Sequence, residues 1–510
     1  MQSSQIYILI SIVVYLIFVL AIGIYFTKKN NNTSDFYLGG RKLGPFVTAM
    51  SAEASDMSSW LLMGLPGVAY LTGVADAAWT AIGLAIGTYI NWLVVAKRIR
   101  VYSHQIDAIT IPDFFSKRYG DEKNLLNCIA AVIIIVFFIP YTASGFAACG
   151  KLFGSLFGVD YLTAMIISAV IIVGYTALGG FLAASTTDFI QSIVMSVALV
   201  VVLGYGVSAA GGFDAVMENA ESLPGYLDFN SIYNPETGTA SSYGLLSKCS
   251  MLAWGLGYFG MPHILLRFMA IEDKEKLTLS RRIATVWVLI SLSVAILIGI
   301  IGYGMTQAGA LEYLEGSSSE TIIVRIAGLI SQHGALAALL AGIILAGILA
   351  ATMSTADSQL LAASSSVSQN ILRDFLKIDM SDRKSMLAAR CTVIAIAVIA
   401  VFFASNPDSS VFEIVSFAWA GFGATFGPVV LCALFWKRSN KEGSVAGMVA
   451  GAVMIFLWKY AVKPLGGAFG IYELLPAFAV ALAVNIIVSL ATKAPDKEIT
   501  ETYEKYTENL

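Results

Sequence analysis

The chain has 510 residues, 57% of them apolar and only 13% charged, with a mean hydropathy of +0.77; a soluble domain carries roughly a quarter charged residues, so water is not its main solvent. A net charge of −3 excludes a strongly basic nucleic-acid-binding surface. The five cysteines, Cys128, Cys149, Cys249, Cys391 and Cys432, lie in or beside apolar segments without CxxC spacing or a histidine cluster, which argues against a disulfide framework or a structural zinc.

A helix crossing hydrocarbon needs about 20 apolar residues, because every backbone N–H and C=O must be satisfied inside the segment. Thirteen stretches meet this, at residues 6–26, 45–72, 76–96, 124–149, 161–183, 188–210, 245–268, 283–306, 334–366, 385–404, 411–436, 443–463 and 471–492. The first is too long for a signal-peptide core and lacks a small-residue cleavage site, so it reads as a retained helix. No linker divides the chain, and a single all-α body in the lipid bilayer is expected.

Basic residues concentrate in alternate loops: Lys28, Lys29, Arg41 and Lys42; Lys97, Arg98, Arg100, Lys117 and Arg118; Lys274, Lys276, Arg281 and Arg282; Arg373, Lys377, Arg383 and Lys384; Lys437, Arg438 and Lys441. The intervening loops are nearly bare of positive charge, and residues 211–243 hold Asp214, Glu218, Glu221, Asp228 and Glu236 with no base. The asymmetry places the basic loops in the cytoplasm, the N-terminus outside and the C-terminus inside.

Two stretches are apolar enough to insert yet poor as helices. The second reads Ser51-Ala-Glu-Ala-Ser-Asp-Met-Ser-Ser-Trp60 followed by Gly64, Pro66 and Gly67; the seventh reads Trp254-Gly-Leu-Gly-Tyr-Phe-Gly-Met-Pro-His263. Broken helices at membrane depth are tolerated where they line a cavity. The two lie five helices apart, and an odd offset means that the second unit enters the membrane from the opposite side. The expected organisation is therefore an N-terminal extra helix and loop (1–44), a five-helix repeat (45–210), an extracellular loop (211–244), an inverted five-helix repeat (245–436), and two C-terminal helices with a tail (437–510). Gly and Pro are common in membrane helices, so one interruption would mean little; two in register outline a binding site near the midplane.

At these residues the chain resembles the sodium:solute symporter family, and within it the bacterial sodium/proline symporters. The likeness covers about residues 35–490 and rests on Tyr37-Leu-Gly-Gly-Arg41, Leu43-Gly-Pro45, Ala54-Ser-Asp-Met-Ser58, Trp60-Leu-Leu-Met-Gly-Leu-Pro-Gly67, Trp254-Gly-Leu-Gly-Tyr-Phe-Gly260, Pro262-His263, Met353-Ser-Thr355, Ala418-Trp-Ala-Gly-Phe-Gly423, Trp436-Lys, Gly443 and Gly447. The resemblance implies a LeuT-type core with one added N-terminal and two added C-terminal helices, placement in the bacterial inner membrane, and sodium-coupled uptake of L-proline. Another small carboxylate or amino acid as solute, and protons as the driving ion, stay open, and no obligate protein partner is indicated.

In the ninth stretch Ala351, Ser354, Thr355 and Ser358 fall at i, i+3, i+4 and i+7 and so share a helix face. Carbonyls of Ala54 and Met57 in the broken second stretch can join the Ala351 carbonyl and the Ser354 and Thr355 hydroxyls around a sodium ion, and these positions match the family's sodium site. Small hydroxyls also serve close helix packing, and the broken partner helix favours the ion. Carboxylates at membrane depth are costly and mark function. Asp56 matches an acidic position that matters for sodium in the resembled symporters, whether it binds the ion directly or caps freed N–H groups. The resemblance further suggests a candidate second cation site at Asp188, Ser354, Asp357 and Ser358, with Asp357 in place of a hydroxyl; a proton-binding pair is the alternative. Glu53 is unusual against the resembled symporters, which have a small or amide residue there; it is expected either to pair with a cytoplasmic base or to alter coupling.

For the solute, Trp254 and Tyr258 stand one helical turn apart and suit a ring and an ammonium by packing and cation–π contact. Pro262 helps hold the break open, and the family motifs add Tyr141, Ser58 and Trp60. Arg41 reads equally as a gate residue and as an ordinary topogenic charge. His104, His263 and His333 show no metal-ligand spacing, and His263 is expected to hydrogen-bond locally. No nucleophile, metal cluster or cofactor motif points to an enzyme, and the residues after 492 leave no room for a signalling domain.

Overall fold

Each apolar stretch falls largely within helix in the computed structural model, which describes residues 3–27 and 33–510. Lys28 and Lys29 of the first basic loop lie outside the described residues. In chain order the principal helices are α1 (Ser3–Thr27), α2 (Pro45–Ser59), α3 (Leu65–Thr72), α4 (Val74–Ile90, continuing to Gln105), α5 (Leu125–Phe157), α6 (Tyr161–Ala177) and α7 (Gly180–Ala209). They continue with α8 (Leu245–Leu252), α9 (Pro262–Ala270), α10 (Leu277–Gln307), α11 (Ala335–Ser365), α12 (Asp382–Phe403), α13 (Val411–Phe435), α14 (Lys441–Leu457), α15 (Leu474–Ala491) and α16 (Lys497–Glu508).

Among the described residues ten helices are long and apolar enough to cross a membrane, or eleven if the bent pair Leu245–Gly260 and Pro262–Ala270 forms one span. Length alone therefore supports fewer crossings than the thirteen expected. The shortfall has two causes. Residues 45–72 are broken, and α6 is cut short where Gly180 turns the chain at φ 74°. The outer surface carries large exposed apolar side chains such as Val170, Phe402 and Ile487, the inverse of a soluble protein and the expected match to lipid tails. The loop at 211–244 is ordered as a helix, Phe213–Ser222, and an antiparallel hairpin pairing Ser231–Asn234 with Thr239–Ser242. The five cysteines are free thiols.

Both expected interruptions are present, and each is more local than a long unwound stretch. In the first, a single residue, Ser58, takes φ 47° and ψ −170° between α2 and the wide turn Trp60–Gly64 that leads into α3. Its hydroxyl accepts the Trp60 amide proton at 3.1 Å, satisfying a donor that the break releases. In the second, residues Ala253–Gly260 wind as a 3-10 helix, Met261 is extended, and α9 restarts at Pro262 with a bend of 48°. Pro262 suits that first position, where no N–H partner exists. Glycines let this stretch touch its neighbours backbone to backbone: a Cβ on Gly255 would lie 2.3 Å from the Gly83 carbonyl oxygen, and one on Gly257 would lie 1.9 Å from Trp419 Nε1. The stretch is thereby wedged between α4 and α13.

Candidate functional site

Of the residues expected to hold sodium, Ala54, Ala351 and Ser354 meet. Ser354 Oγ lies 2.8 Å from the Ala54 carbonyl oxygen and 3.1 Å from that of Ala351, so one hydroxyl hydrogen is shared between two acceptors. Thr355 Oγ1, on the same face of α11, is buried without a hydrogen-bond partner among the described residues. The Met57 carbonyl accepts the Trp60 amide and keeps a second lone pair. Neutral oxygens from carbonyls and hydroxyls, gathered between a broken helix and its neighbour, are the donor set a hard monovalent cation takes. No group of three or more His, Cys, Asp or Glu is placed to hold a metal among the described residues.

Asp56 lies next to this group and is buried. Its Oδ2 accepts the Tyr258 hydroxyl at 2.6 Å, and its carbonyl accepts the Tyr141 hydroxyl at 3.1 Å. One acid thus ties both broken helices to α5. Around it an aromatic box closes: Trp60 and Trp254 have ring centroids 5.5 Å apart, Phe412 lies 5.9 Å from Trp60 and 5.4 Å from Trp254, and Tyr472 lies 5.2 Å from Trp254. Trp419 donates its indole N–H to the Trp254 carbonyl at 2.8 Å and meets Tyr258 edge-on at 5.0 Å. Aromatic pairs of this kind contribute about 0.5–1.5 kcal/mol each beyond burial. The box encloses a cavity of about 10 Å³ lined by Asp56, Met57, Trp60, Leu84, Tyr141, Trp254, Val415 and Trp419, room for about one water. The indole N–H of Trp60 is buried there without a partner among the described residues. Of the expected solute residues, Trp60, Tyr141 and Trp254 line the cavity, Tyr258 stands behind it on Asp56, and Ser58 and Pro262 shape the breaks without lining it.

The candidate second cation group holds a residue that the sequence reading did not single out. Arg267 on α9 places its guanidinium against Asp188 Oδ2 at 3.1 Å, Ser51 Oγ at 3.0 Å, the His263 carbonyl at 3.0 Å and Ser358 Oγ at 2.5 Å. Asp188 Oδ2 also accepts from Ser51 Oγ at 2.7 Å. Arg267 and Asp188 are 1% and 0% exposed, so the pair is fully desolvated. Asp357 accepts weakly from Ser358 at 3.3 Å, and its Oδ2 has no partner among the described residues. A guanidinium therefore stands where Asp188 and Ser358 would hold an ion. A base inside residues 245–268 was the available signal, since a charge at membrane depth is functional by default.

The helices around the cavity are tied together at their ends. On the basic-loop side, Leu43 N–H donates to the Ala270 carbonyl at 3.1 Å and Glu272 N–H to the Leu43 carbonyl at 3.0 Å, a parallel bridge between the lead-in to α2 and the exit of α9. Arg41 reinforces it through bonds to the Met269 carbonyl at 2.7 Å, the Ala108 carbonyl at 2.6 Å, and Ser103. Its backbone sits at φ 57°, a conformation costing about 1–2 kcal/mol for a residue with a Cβ, which these bonds offset. Burial and the nearby Arg100 pull its pKa down to about 10, leaving it charged at neutral pH. At the opposite end, Glu320 caps the start of α13 by accepting the amides of Val411 and Phe412, each at 3.0 Å, and pairs with Lys151 on α5 at 2.7 Å. That cap fixes Phe412, a wall of the aromatic box.

Among the described residues Glu53 has no basic partner, such a pairing being one of the two expectations for it. Trp92 on α4 donates its indole N–H to Glu53 Oε1 at 2.9 Å, because the carboxylate faces α4 rather than the basic loops. His263 lies beside the Ser55 backbone, with which it interacts, and its ring packs 5.8 Å from Phe138.

A helical membrane protein whose two broken helices meet beside a small polar and aromatic cavity has the architecture of a secondary transporter. The sodium:solute symporter family model matches residues 36–451, and the chain belongs to that family. It is 43% identical over 504 residues to the sodium/proline symporter of Haemophilus influenzae, covering 98% of this chain and 97% of that protein. It is 42% identical over 492 residues to the osmoregulated proline transporter OpuE of Bacillus subtilis, covering 96% of each, and 40% identical over 494 residues to a sodium/proline symporter of Staphylococcus aureus, covering 95% of this chain and 93% of that protein. Among solved structures, a substrate-bound outward-open sodium-coupled sialic acid symporter shares the fold with a TM-score of 0.78 at 17% identity, over 96% of this chain and 99% of that one. The transporter MhsT in complex with L-phenylalanine gives 0.55 at 13% identity, over 88% and 99%.

Proposed function

We propose that this protein is a sodium-coupled symporter that carries L-proline across a bacterial plasma membrane by alternating access. The observation that carries the reading is the meeting of the Ala54 and Ala351 carbonyls with Ser354, one turn of chain from Asp56, which is bonded to Tyr141 and Tyr258 beside Trp60 and Trp254. Sodium binds the oxygens of Ala54, Met57, Ala351, Ser354 and Thr355. Asp56 acts indirectly, its Oδ2 bonded to Tyr258 and its charge lying near the ion. Proline fits the other half of the site: Trp254 and Trp60 enclose the pyrrolidine ring and ammonium, and half-helix N–H groups released at Ser58 meet its carboxylate. Full sequence coverage by proline-transporting relatives supports this solute.

The cavity holds about one water, so the conformation is occluded and proline enters only as the box opens. The Arg41 bridge and the Arg267 cluster close the cytoplasmic route, and Glu320 with Lys151 closes the outer one. The cation group of Asp188, Ser354, Asp357 and Ser358 serves in this state as the dock for Arg267. Thirteen crossings follow when residues 45–72 and α6 join the eleven as spans, with the N-terminus outside, the C-terminus in the cytoplasm, and residues 45–210 and 245–436 as inverted repeats.

Radiolabelled proline uptake into proteoliposomes tests the function. Uptake driven by an inward sodium gradient, and competed by unlabelled proline alone among candidate solutes, is expected. Uptake indifferent to sodium defeats the coupling, and failure of proline to compete defeats the solute assignment.

A further inference from the structure

Helix α16 takes no part in the ion or solute site, yet it joins three segments on the basic-loop side. It buries two side chains, Tyr503 and Tyr506, which stand at i and i+3 on one face. Both hydroxyls donate to a single acceptor, the Leu434 carbonyl, at 3.1 and 3.0 Å. Leu434 lies in the last turn of α13, where carbonyls have no partner within the helix. Arg118, 1% exposed, completes that cap: its Nε donates to the Ala433 carbonyl at 2.9 Å, and its guanidinium lies 4.9 Å from the Tyr503 ring centroid.

Tyr506 is also held by the end of α4. Its ring stacks on that of Tyr102, with centroids 4.3 Å apart and planes 9° from parallel; Arg98 Nη1 donates to its hydroxyl at 3.2 Å, and Gln105 Nε2 donates to the Thr502 carbonyl at 2.8 Å. Arg98, Tyr102 and Gln105 fall at i, i+4 and i+7 and share a face, whereas Arg100 and Ser103 lie on another face of the same turns. That second face holds both sides of the bridge between Leu43 and Ile271: Arg100 Nε donates to the Ile271 carbonyl at 2.7 Å, and Ser103 accepts from Arg41. Lys274, three residues past Ile271, donates to the Asn509 carbonyl at 2.5 Å. The end of α4 thus carries the bridge on one face and α16 on another, and α16 fastens it to α13.

An isolated helix of 12 residues is marginal in water, so α16 owes its helix to the surface on which it docks. Undocking uncovers two tyrosines and the last carbonyls of α13 while every membrane-spanning helix stays whole. Elements that move in a working cycle come from this low-stability end of a structure.

We propose that α16 is a cytoplasmic strap: docked, it holds the end of α4 against α13 and keeps the Leu43–Ile271 bridge shut, and it lifts off when the cytoplasmic side opens. The bridge parts only when the end of α4 releases Arg41 or Ile271, and fastening that end to α13 opposes the release. This rests on the alternating-access part of the proposed function and not on the identity of the ion or the solute.

Pulsed dipolar spectroscopy on the full chain in lipid, with its native cysteines replaced, tests it. Spin labels at Glu275→Cys and Glu442→Cys report the cytoplasmic side, and labels at Glu315→Cys and Asp408→Cys the outer side; all four positions are exposed. Tyr506→Ala is expected to raise the ratio of cytoplasm-open to closed molecules about tenfold or more, from the loss of a buried stacked ring, with no widening at the outer pair. Tyr506→Phe keeps the stack and loses the bonds to Leu434 and Arg98; it is expected to raise the same ratio roughly two- to tenfold, and it serves where Tyr506→Ala does not fold. A cytoplasmic distance distribution that is unchanged or narrower in both variants overturns the strap. Widening at both ends together means general loosening and overturns it as well. Distances at the two ends of the unaltered protein that never alternate, with or without sodium and proline, overturn the alternating-access reading itself.

Discussion

Arg267→Gln removes the one positive charge in a fully desolvated cluster. In the native protein the guanidinium holds Asp188, Ser51 and Ser358 and the His263 carbonyl, joining α9 to α2, α7 and α11. Loss of the partner leaves Asp188 buried at 0% exposure beside Asp357 at 1%. Deleting one member of a buried ion pair costs about 3–5 kcal/mol, far more than the net worth of the pair, because the remaining charge is stranded. Against a total stability of about 5–15 kcal/mol, that is a drop of roughly two to four orders of magnitude in the folded-to-unfolded ratio. Chemical unfolding in detergent, followed by tryptophan fluorescence, measures it. The double variant Arg267→Gln with Asp188→Asn is expected to recover at least half of the loss, since it removes the stranded charge. A cost below about 1 kcal/mol for the single variant, or no recovery in the double one, refutes the claim that this pair is dry and structural.

Ser354→Ala and Thr355→Ala are each expected to raise the sodium needed for half-maximal proline uptake by about tenfold or more, with the proline maximum recovered at high sodium; an unchanged requirement removes them from the ion site. Trp254→Ala opens the aromatic box and is expected to raise the half-saturating proline concentration by ~10–100-fold, from the loss of packing and cation–π contact, while sodium binding to the solute-free protein shifts less than about threefold by the same arithmetic. Equal effects on both ligands contradict its placement on the solute side. Tyr258→Phe deletes the hydrogen bond to Asp56 without changing shape, and a bond to a charged group is worth about 1.5–3 kcal/mol; sodium affinity measured at equilibrium should fall accordingly, and an unaltered affinity means that Asp56 does not act through Tyr258.

The helices were readable because each must bring its own hydrogen bonds into lipid, which imposes a length that hydropathy detects. Their number was less secure for the same reason: a span broken at Ser58 or ended at Gly180 no longer satisfies the length criterion as one rod. The meeting of Ser354 with the Ala54 carbonyl could be anticipated because Ser354 and Thr355 are anomalous on an apolar helix. The walls of the aromatic box supplied by Phe412, Trp419 and Tyr472 were not found, since aromatics in α13 and before α15 look like ordinary membrane packing until the backbone of 253–260 is wedged against them. Glu320 and Lys151 stood in loop and helix-end positions with no local pattern, and their pairing is purely tertiary. Trp92 as the partner of Glu53 likewise depends on the rotation of α4, which no periodicity in a uniformly apolar stretch specifies.

The bridge between Leu43 and Ile271 is made of main-chain atoms alone. Side-chain substitution on either strand therefore leaves its donors and acceptors in place, and only a residue without an N–H, such as proline at position 43 or 272, removes a rung. A seal of this kind tolerates sequence drift on both faces while keeping its register. It also carries its own reporter, because the amides of Leu43 and Glu272 exchange with deuterium only while the bridge is open. Their exchange rates in sodium, with and without proline, therefore read out the fraction of time the bridge is open, with no label attached to the protein.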